Sequence, residues 1–353
     1  MILSRYDLEG AGGRASDNVR EDLTDDIYNI SPTECPFTTN MGRRRAKNTF
    51  VEWQTDELLA VDASNARADG EDLGSNQGAP SSKIGNYHQI SGKDLIVTGR
   101  AESVNKAGRS SEISYQLAKL SKSLKRDIET IALLTGQAAR PGAEPADPAS
   151  PAGTDAMLTA SVGCWLKTNT ARTGTEPSLS GTTYGYPDTP PGTLTGTEAL
   201  SESGILSLVR SAWEAGGQID MIMLNPEMKQ RFSAYMLSGN ARAATQYQDQ
   251  GTRSVKAGRM SGGVLVKAAV GVYDTDFGVI DVVPNRFTSD VDAYLFDSQM
   301  WALCYLRGYF VKRIAETGDA MKRLLLVDWA VVSKNEASSA VFSNVDASAP
   351  MVA

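Results

Sequence analysis

The chain has a single histidine in 353 residues, only three cysteines, and aromatic side chains at 7% of positions. Each scarcity removes a class of chemistry. His88 has no second histidine and no neighbouring cysteine, so the nitrogen and thiolate sets that hold zinc or non-haem iron cannot be assembled around it. Cys35, Cys164 and Cys304 are odd in number and far apart, which reads as small hydrophobes and not as a disulfide framework. The aromatic residues are not interleaved with basic ones, so a stacking platform for single-stranded nucleic acid is not indicated. No stretch approaches the roughly 18 apolar residues of a membrane span. The opening MILSRYDLEGAGGR lacks the apolar run of a signal peptide, and the expectation is a protein made in a cytoplasm-like compartment. Gly-x-Ser-x-Gly and Gly-x-x-x-x-Gly-Lys-Ser/Thr motifs are both missing. Asp276-Phe277-Gly278 spells the magnesium triplet of protein kinases, but the histidine-bearing loop and glycine-rich loop that it needs are not there, so it reads as a turn between strands. A net charge of −7 argues against a protein that coats nucleic acid.

What is present is enough apolar side chain, 41% of the chain, to build real cores. The clearest element runs from about 110 to 135, where Ile113, Leu117, Leu120, Leu124, Ile128 and Ile131 trace one stripe of an α-helix and Lys119, Lys122, Lys125 and Arg126 lie opposite. Ser110 or Ser111 can cap it and Gly136 can end it. With neither histidine nor cysteine and without converging acids, it reads as a structural spine.

Around the spine the chain alternates between order and long polar stretches. Residues 1–20 read as an arm, Glu21 to Tyr28 as a short helix, and Arg43, Arg44, Arg45 and Lys47 as the one basic cluster, either a solvated turn or a patch that meets an acidic neighbour or a phosphate backbone. Thr49 to Thr55 alternates as a half-buried strand with Val51 and Trp53 on one face, and Lys93 to Arg100 is a second strand. Between them lie nearly forty residues whose large apolar side chains read as few beyond Leu73, Ile84 and Tyr87. A two-stranded finger of that kind cannot bury its own face, so it is expected to lie on another molecule, and deletion of about 60–88 is expected to leave a folded protein. His88 falls in this polar stretch. Residues 137–197 read as a turn-rich insertion at the surface, with a short helix within Leu158 to Leu166.

From Glu198 onward the pattern is that of an α/β unit. Ile205, Leu208, Val209 and Ala212 form one helix face, Met221 to Leu224 a strand, Asn225 a cap before Pro226, and Met228, Phe232 and Met236 a second helix. Strands follow at Val264 to Tyr273 and Val279 to Val283. The last portion is β-rich, with strands at Ala293 to Phe296, Trp301 to Leu306, Tyr309 to Ile314 and Leu324 to Val332, the final pair turning at Thr317-Gly318-Asp319. LLLVDWAVV is expected in the sheet that the spine covers. Asp274, Asp276 and Asp281 offer hard oxygens that could bind a divalent cation or serve an unrecognised carboxylate enzyme; a solvated hairpin end is the simpler reading.

Five phrases taken in order resemble the major capsid proteins of tailed bacteriophages with the HK97-type fold, in the branch found in many siphophage-type heads that was formerly catalogued as a domain of unknown function. They are DDIYNISPTECPFTT (25–39), NTFVEWQTDELL (48–59), VNKAGRSSEISYQLAKLSKSLKRDIE (104–129), DFGVIDVVPNRF (276–287) and AETGDAMKRLLLVDWAVVSKNEAS (315–338). The resemblance implies an α+β fold with an N-terminal arm (1–48), an extended β-hairpin loop (49–104), a peripheral domain in two parts (105–196 with the spine, and 286–353) and an axial α/β domain (197–285). It implies a shell of pentamers and hexamers around double-stranded DNA, bound without sequence preference, in a virion assembled in the host bacterial cytoplasm. A separate scaffolding protein, a portal and a decoration protein are the implied partners, with no membrane, cofactor, metal or catalytic residue. Arg43, Arg44, Arg45 and Lys47 are the expected inter-subunit or DNA-facing residues, and Trp53, Leu73, Ile84 and Tyr87 the expected contacts of the extended loop. A nanocompartment shell of the same fold is the alternative.

Overall fold

The computed structural model describes residues 31–66, 69–70, 81–106, 108–133, 136–143, 155–180, 184–193, 196–238 and 270–352. The expected helix at 21–28, Leu73 and residues 264–269 lie outside them. The chain divides into two compact units. Among described residues the smaller comprises 31–33, Lys93–Lys122 and Val311–Leu325, and the larger Glu34–Gly92, Ser123–Phe310 and Leu326 onward.

In chain order the first elements are a short helix α1 (Pro36–Asn40), strands β1 (Gly42–Arg45), β2 (Phe50–Thr55), β3 (Ser82–Tyr87) and β4 (Gln89–Thr98), helix α2 (Gly99–Ser103) and the spine α3 (Glu112–Leu133). Helix α4 (Val162–Trp165) and the short strands β5 (Thr170–Ala171), β6 (Ser178–Leu179), β7 (Tyr184–Gly185) and β8 (Pro187–Thr189) follow. Then come α5 (Glu202–Glu214), β9 (Met221–Leu224), α6 (Pro226–Ser238), β10 (Val272–Thr275), β11 (Gly278–Pro284), β12 (Asp292–Phe296), β13 (Trp301–Arg313), β14 (Ala320–Ser333) and β15 (Ala340–Ser343).

The larger unit is built on a six-stranded mixed sheet in the order β10-β11-β9-β12-β15-β5. Helices α5 and α6 form where the apolar spacing and caps require them. Ser201 Oγ accepts from Gly204 N–H at 3.1 Å, and Asn225 Oδ1 from Glu227 N–H at 2.9 Å, each satisfying a free donor of the first turn. Their apolar faces meet the sheet in one cluster that includes Ile205, Leu208, Phe232, Ile222, Leu224 and Leu295. Ala340, Phe342, Val345 and Met351 belong to that same cluster. The boundary drawn at 285 therefore does not coincide with a break in packing: the returning chain completes the core of the α/β unit. The segment 137–197, read as a surface insertion, is also corrected. Its Ala160, Val162, Trp165 and Leu166 are buried, and β5 extends the six-stranded sheet by pairing parallel with β15.

A four-stranded sheet has the order β1-β13-β14-β4, with β1 parallel to β13. The two strands expected at 301–306 and 309–314 are one continuous β13, because Arg307 and Gly308 are accommodated in extended conformation. A third sheet, β2-β3-β7, corrects the pairing of the extended hairpin. The partner of β2 is β3, inside the stretch read as a loop, in a register running from Phe50 opposite Tyr87 to Thr55 opposite Ser82. The strand near 93–100 goes instead to the edge of the four-stranded sheet as part of β4. Gly85 makes the β2–β3 pair possible, since a Cβ there would stand 2.6 Å from the Phe50 ring.

In the smaller unit, α2 leads to the first turns of α3. Glu102 accepts from Glu112 N–H at 2.9 Å and pairs with Lys106, while Glu112 pairs with Arg109, whose guanidinium lies 5.1 Å from the Tyr115 ring centre.

Candidate functional site

Three places carry polar or apolar groups that the fold alone does not account for: the hairpin, the basic edge, and a buried carboxylate on the spine.

The root of the hairpin is core. Val51 is buried with Ala46, Ala302, Cys304, Ala330 and Val332. Trp53 lies 5.3 Å from Trp165 between ring centres, and Phe50, Tyr87 and Tyr186 form a second aromatic group. Asn86, fully buried, donates to Val331 O at 2.7 Å and Thr159 Oγ1 at 3.0 Å, and its Oδ1 accepts from Ala160 N–H. His88, expected in a polar loop, is buried between β3 and β4, where its backbone N–H donates to Thr49 O and its Nδ1 lies 3.0 Å from the same oxygen. Burial holds the imidazole below its ordinary pKa, opposed by that hydrogen bond and by the charge of Asp328. Deletion of 60–88 would thus remove the core strand β3, and the folded subunit expected from that deletion does not follow.

Beyond the root the chain emerges completely. Residues 56–66 are all exposed, and this limb presents Leu58, Leu59 and Val61 at 98%, 63% and 99% exposure. Flanked by Asp56, Glu57 and Asp62, these three carry no strand or helix period that would mark them in the sequence beside Leu73, Ile84 and Tyr87. Of the expected contacts of the extended loop, Trp53 stands directly opposite Ile84 and Tyr87 opposite Phe50, all three half-buried against this chain's own residues.

The basic cluster is an edge strand and not a turn. Arg43, Arg44 and Arg45 are exposed along β1, in register with Leu303, Cys304 and Tyr305, and Lys47 follows exposed after buried Ala46. Among the described residues none of these four cations has an ion-pair partner. Beside them, Arg307 pairs with Asp328 at 3.2 Å and lies over the Phe310 ring, and the Tyr305 and Tyr309 rings are 6.2 Å apart. Burial and the adjacent Tyr305 hold the Tyr309 phenol well above its usual range.

The spine, read as structural, carries one buried acid. Glu129, 0% exposed, accepts from Phe37 N–H (2.7 Å), Thr38 N–H (2.8 Å) and Asn285 Nδ2 (2.7 Å). One carboxylate thus joins three of the phrases that carried the resemblance, those containing Phe37, Glu129 and Asn285. Burial raises its pKa against the opposing pull of these donors, and with it pushes the Cys35 thiol up to about 11. A stripe of apolar positions gives no signal for such a residue. Tyr294, in the six-stranded sheet, also meets the spine, with its hydroxyl 3.3 Å from Leu133 O, whereas LLLVDWAVV lies in the other sheet.

Asp274, Asp276 and Asp281 are exposed at the β10–β11 hairpin. Among the described residues no group of three or more His, Cys, Asp or Glu side chains is placed to hold a metal ion.

An arm segment leading to a two-stranded hairpin, a long spine, an α/β unit and a returning sheet make up the HK97-type fold of tailed-phage capsid proteins. Solved structures with this architecture include the capsid of an empty GTA particle, at a TM-score of 0.58 and 10% identity over 97% of this chain and 100% of the other. Another is the cyanophage A-1(L) capsid, at 0.53 and 13% over 94% and 98%. The chain belongs to the SU10 major capsid protein family, whose model matches residues 8–346. It is 24% identical over 331 residues to the major capsid protein of Escherichia phage Phieco32, covering 88% of this chain and 90% of the relative. It is a structural subunit that forms the capsid shell of a phage virion.

Proposed function

We propose that copies of this chain close into pentamers and hexamers of an icosahedral head around double-stranded DNA, tied together by the limb at 56–66. The observation that carries this reading is the almost complete exposure of Leu58 and Val61 in a limb that no other described residue covers. Burying such a side chain is worth about 1.5–3 kcal/mol, so a neighbour that covers both stabilises the assembly and not the subunit. Repeated around a closed symmetry, one such contact per copy yields rings and then a shell. By the resemblance the arm is assigned to 1–48, the extended loop to 49–104, the peripheral domain to 105–196 and 286–353, and the axial domain to 197–285, with Ala340, Phe342, Val345 and Met351 of the returning chain packed into the axial core. The α/β unit also exposes the apolar side chains of Trp213, Val272 and Val279, suited to contacts between copies. The subunit works without catalysis, assembles in the host cytoplasm, and uses a separate scaffolding protein, a portal and a decoration protein.

The test is electron microscopy of a variant in which 57–80 is replaced by a short Gly-Ser turn, leaving β2 and β3 paired. Folded protein without closed shells is the expected result; wild-type shells from this variant would remove the limb from the mechanism. Nucleic acid inside the native particle separates a phage head from a nanocompartment, in which a protein cargo would be found.

A further inference from the structure

We propose that the acidic limb of one copy, Asp56 to Asp62, seats on the arginine edge strand β1 of a second copy. This rests on the shell reading above and names the surface that receives the limb.

Each of the two stretches lacks something that the other supplies. The limb reads Asp56-Glu57-Leu58-Leu59-Ala60-Val61-Asp62, three carboxylates bracketing three fully or largely exposed apolar side chains. Among the described residues its carboxylates make only local contacts, Asp56 accepting from Glu57 N–H and Asp62 from Ser64 N–H. The receiving strand and the two residues after it read Gly42-Arg43-Arg44-Arg45-Ala46-Lys47, with four exposed cations that have no ion-pair partner among the described residues. Among the described residues the strand stands at the edge of its sheet, so one row of backbone N–H and C=O groups faces outward, the arrangement that an added extended segment completes. The pleat places Arg43 and Arg45 on the face of Leu303 and Tyr305, their register partners, and Tyr309, 39% exposed, continues that face along β13. Guanidinium groups beside a tyrosine ring form a surface for a segment in which carboxylates and leucines are neighbours.

Packaged DNA would also satisfy the arginines through its phosphates. It would leave the limb uncovered, with its carboxylates and apolar side chains still in water. Pairing limb with edge satisfies both stretches through one contact, and its charges of opposite sign select register as well as partner. The contact is head-to-tail, since the limb and the edge are different surfaces of the subunit, which is the kind that closes into rings.

The test is a charge swap, read by the yield of closed shells in electron micrographs. The parent variants are Arg43→Glu/Arg44→Glu/Arg45→Glu and Asp56→Arg/Glu57→Arg/Asp62→Arg, all at exposed positions. Each alone should lower shell yield about tenfold or more, and the two sets combined in one chain should restore most of it. Parents that assemble like wild type, or a combined variant no better than its parents, would overturn the pairing while leaving the shell reading intact. So would arginine variants that form normal shells but lose their nucleic acid, which would assign the edge to DNA. A wild-type chain that forms no shells would remove both readings together. Should a triple variant not fold, Arg44→Cys with Glu57→Cys decides within assembled shells, because the native cysteines are buried. Disulfide-linked multimers on a non-reducing gel support the pairing, and monomers alone overturn it.

Discussion

Met221-Ile222-Met223-Leu224 and the Leu58, Leu59 and Val61 of the limb are chemically alike, and the chain treats them in opposite ways. The first four residues are 0–7% exposed, paired on both edges by β11 and β12 and covered by α6. Leu58 and Val61 are almost wholly in water. Apolar content is therefore not what separates core from surface here. A strand becomes core when this chain supplies neighbours on its edges and face, and among the described residues the limb receives none. The two regions divide the apolar surface between folding one copy and joining many.

That division can be broken at several points. The largest effect belongs to Ile222→Ala, which opens a cavity in a fully buried position and should cost about 2–5 kcal/mol in urea unfolding of the subunit. Glu129→Ala leaves Phe37 N–H, Thr38 N–H and the Asn285 amide without their acceptor; a loss of roughly 1–3 kcal/mol is expected, and an unchanged midpoint would show the clamp to be incidental. A smaller effect follows from His88. Its folded pKa lies below the ordinary 6.5, so the unfolded chain binds the extra proton first. The stability it contributes is present above that value and is lost as pH falls toward the folded pKa. Urea midpoints measured between about pH 8 and 5 should decline on the acid side, and less so in His88→Gln; as the sole histidine, it leaves no second imidazole to confuse the comparison. The smallest effect on the subunit is that of Leu58→Ser with Val61→Ser, within about 0.5 kcal/mol of wild type, although shells from this variant should be fewer. A large loss of subunit stability would place the limb in the core after all.

How far the sequence could be read follows from where each signal resides. Helices α5 and α6 were legible because their apolar positions repeat with the helical period and Asn225 stands as a cap before Pro226. Strand β3, Ser-Lys-Ile-Gly-Asn-Tyr, was not, because it is held by Gly85 under the Phe50 ring and by the buried amide of Asn86, features of its neighbours and not of its own composition. Arg43 to Arg45 have no apolar pattern at all and become a strand only through backbone pairing with Leu303 to Tyr305. The single phrases around Phe37, Glu129 and Asn285 were noticed for their resemblance, but their convergence on one carboxylate is a three-dimensional fact. For the candidate site, the arginines were found and their setting was not, while the limb's own apolar residues were overlooked between the acids that flank them.

The pairing of β1 with β13 also has a consequence in time. Gly42 stands opposite Ala302, so this edge strand has nothing to join until most of the chain has left the ribosome. Contacts of such long sequence separation form late, after local helices and hairpins. A nascent subunit therefore has no arginine edge to offer, and the surface that would receive a neighbour comes into being only as the subunit itself is finished.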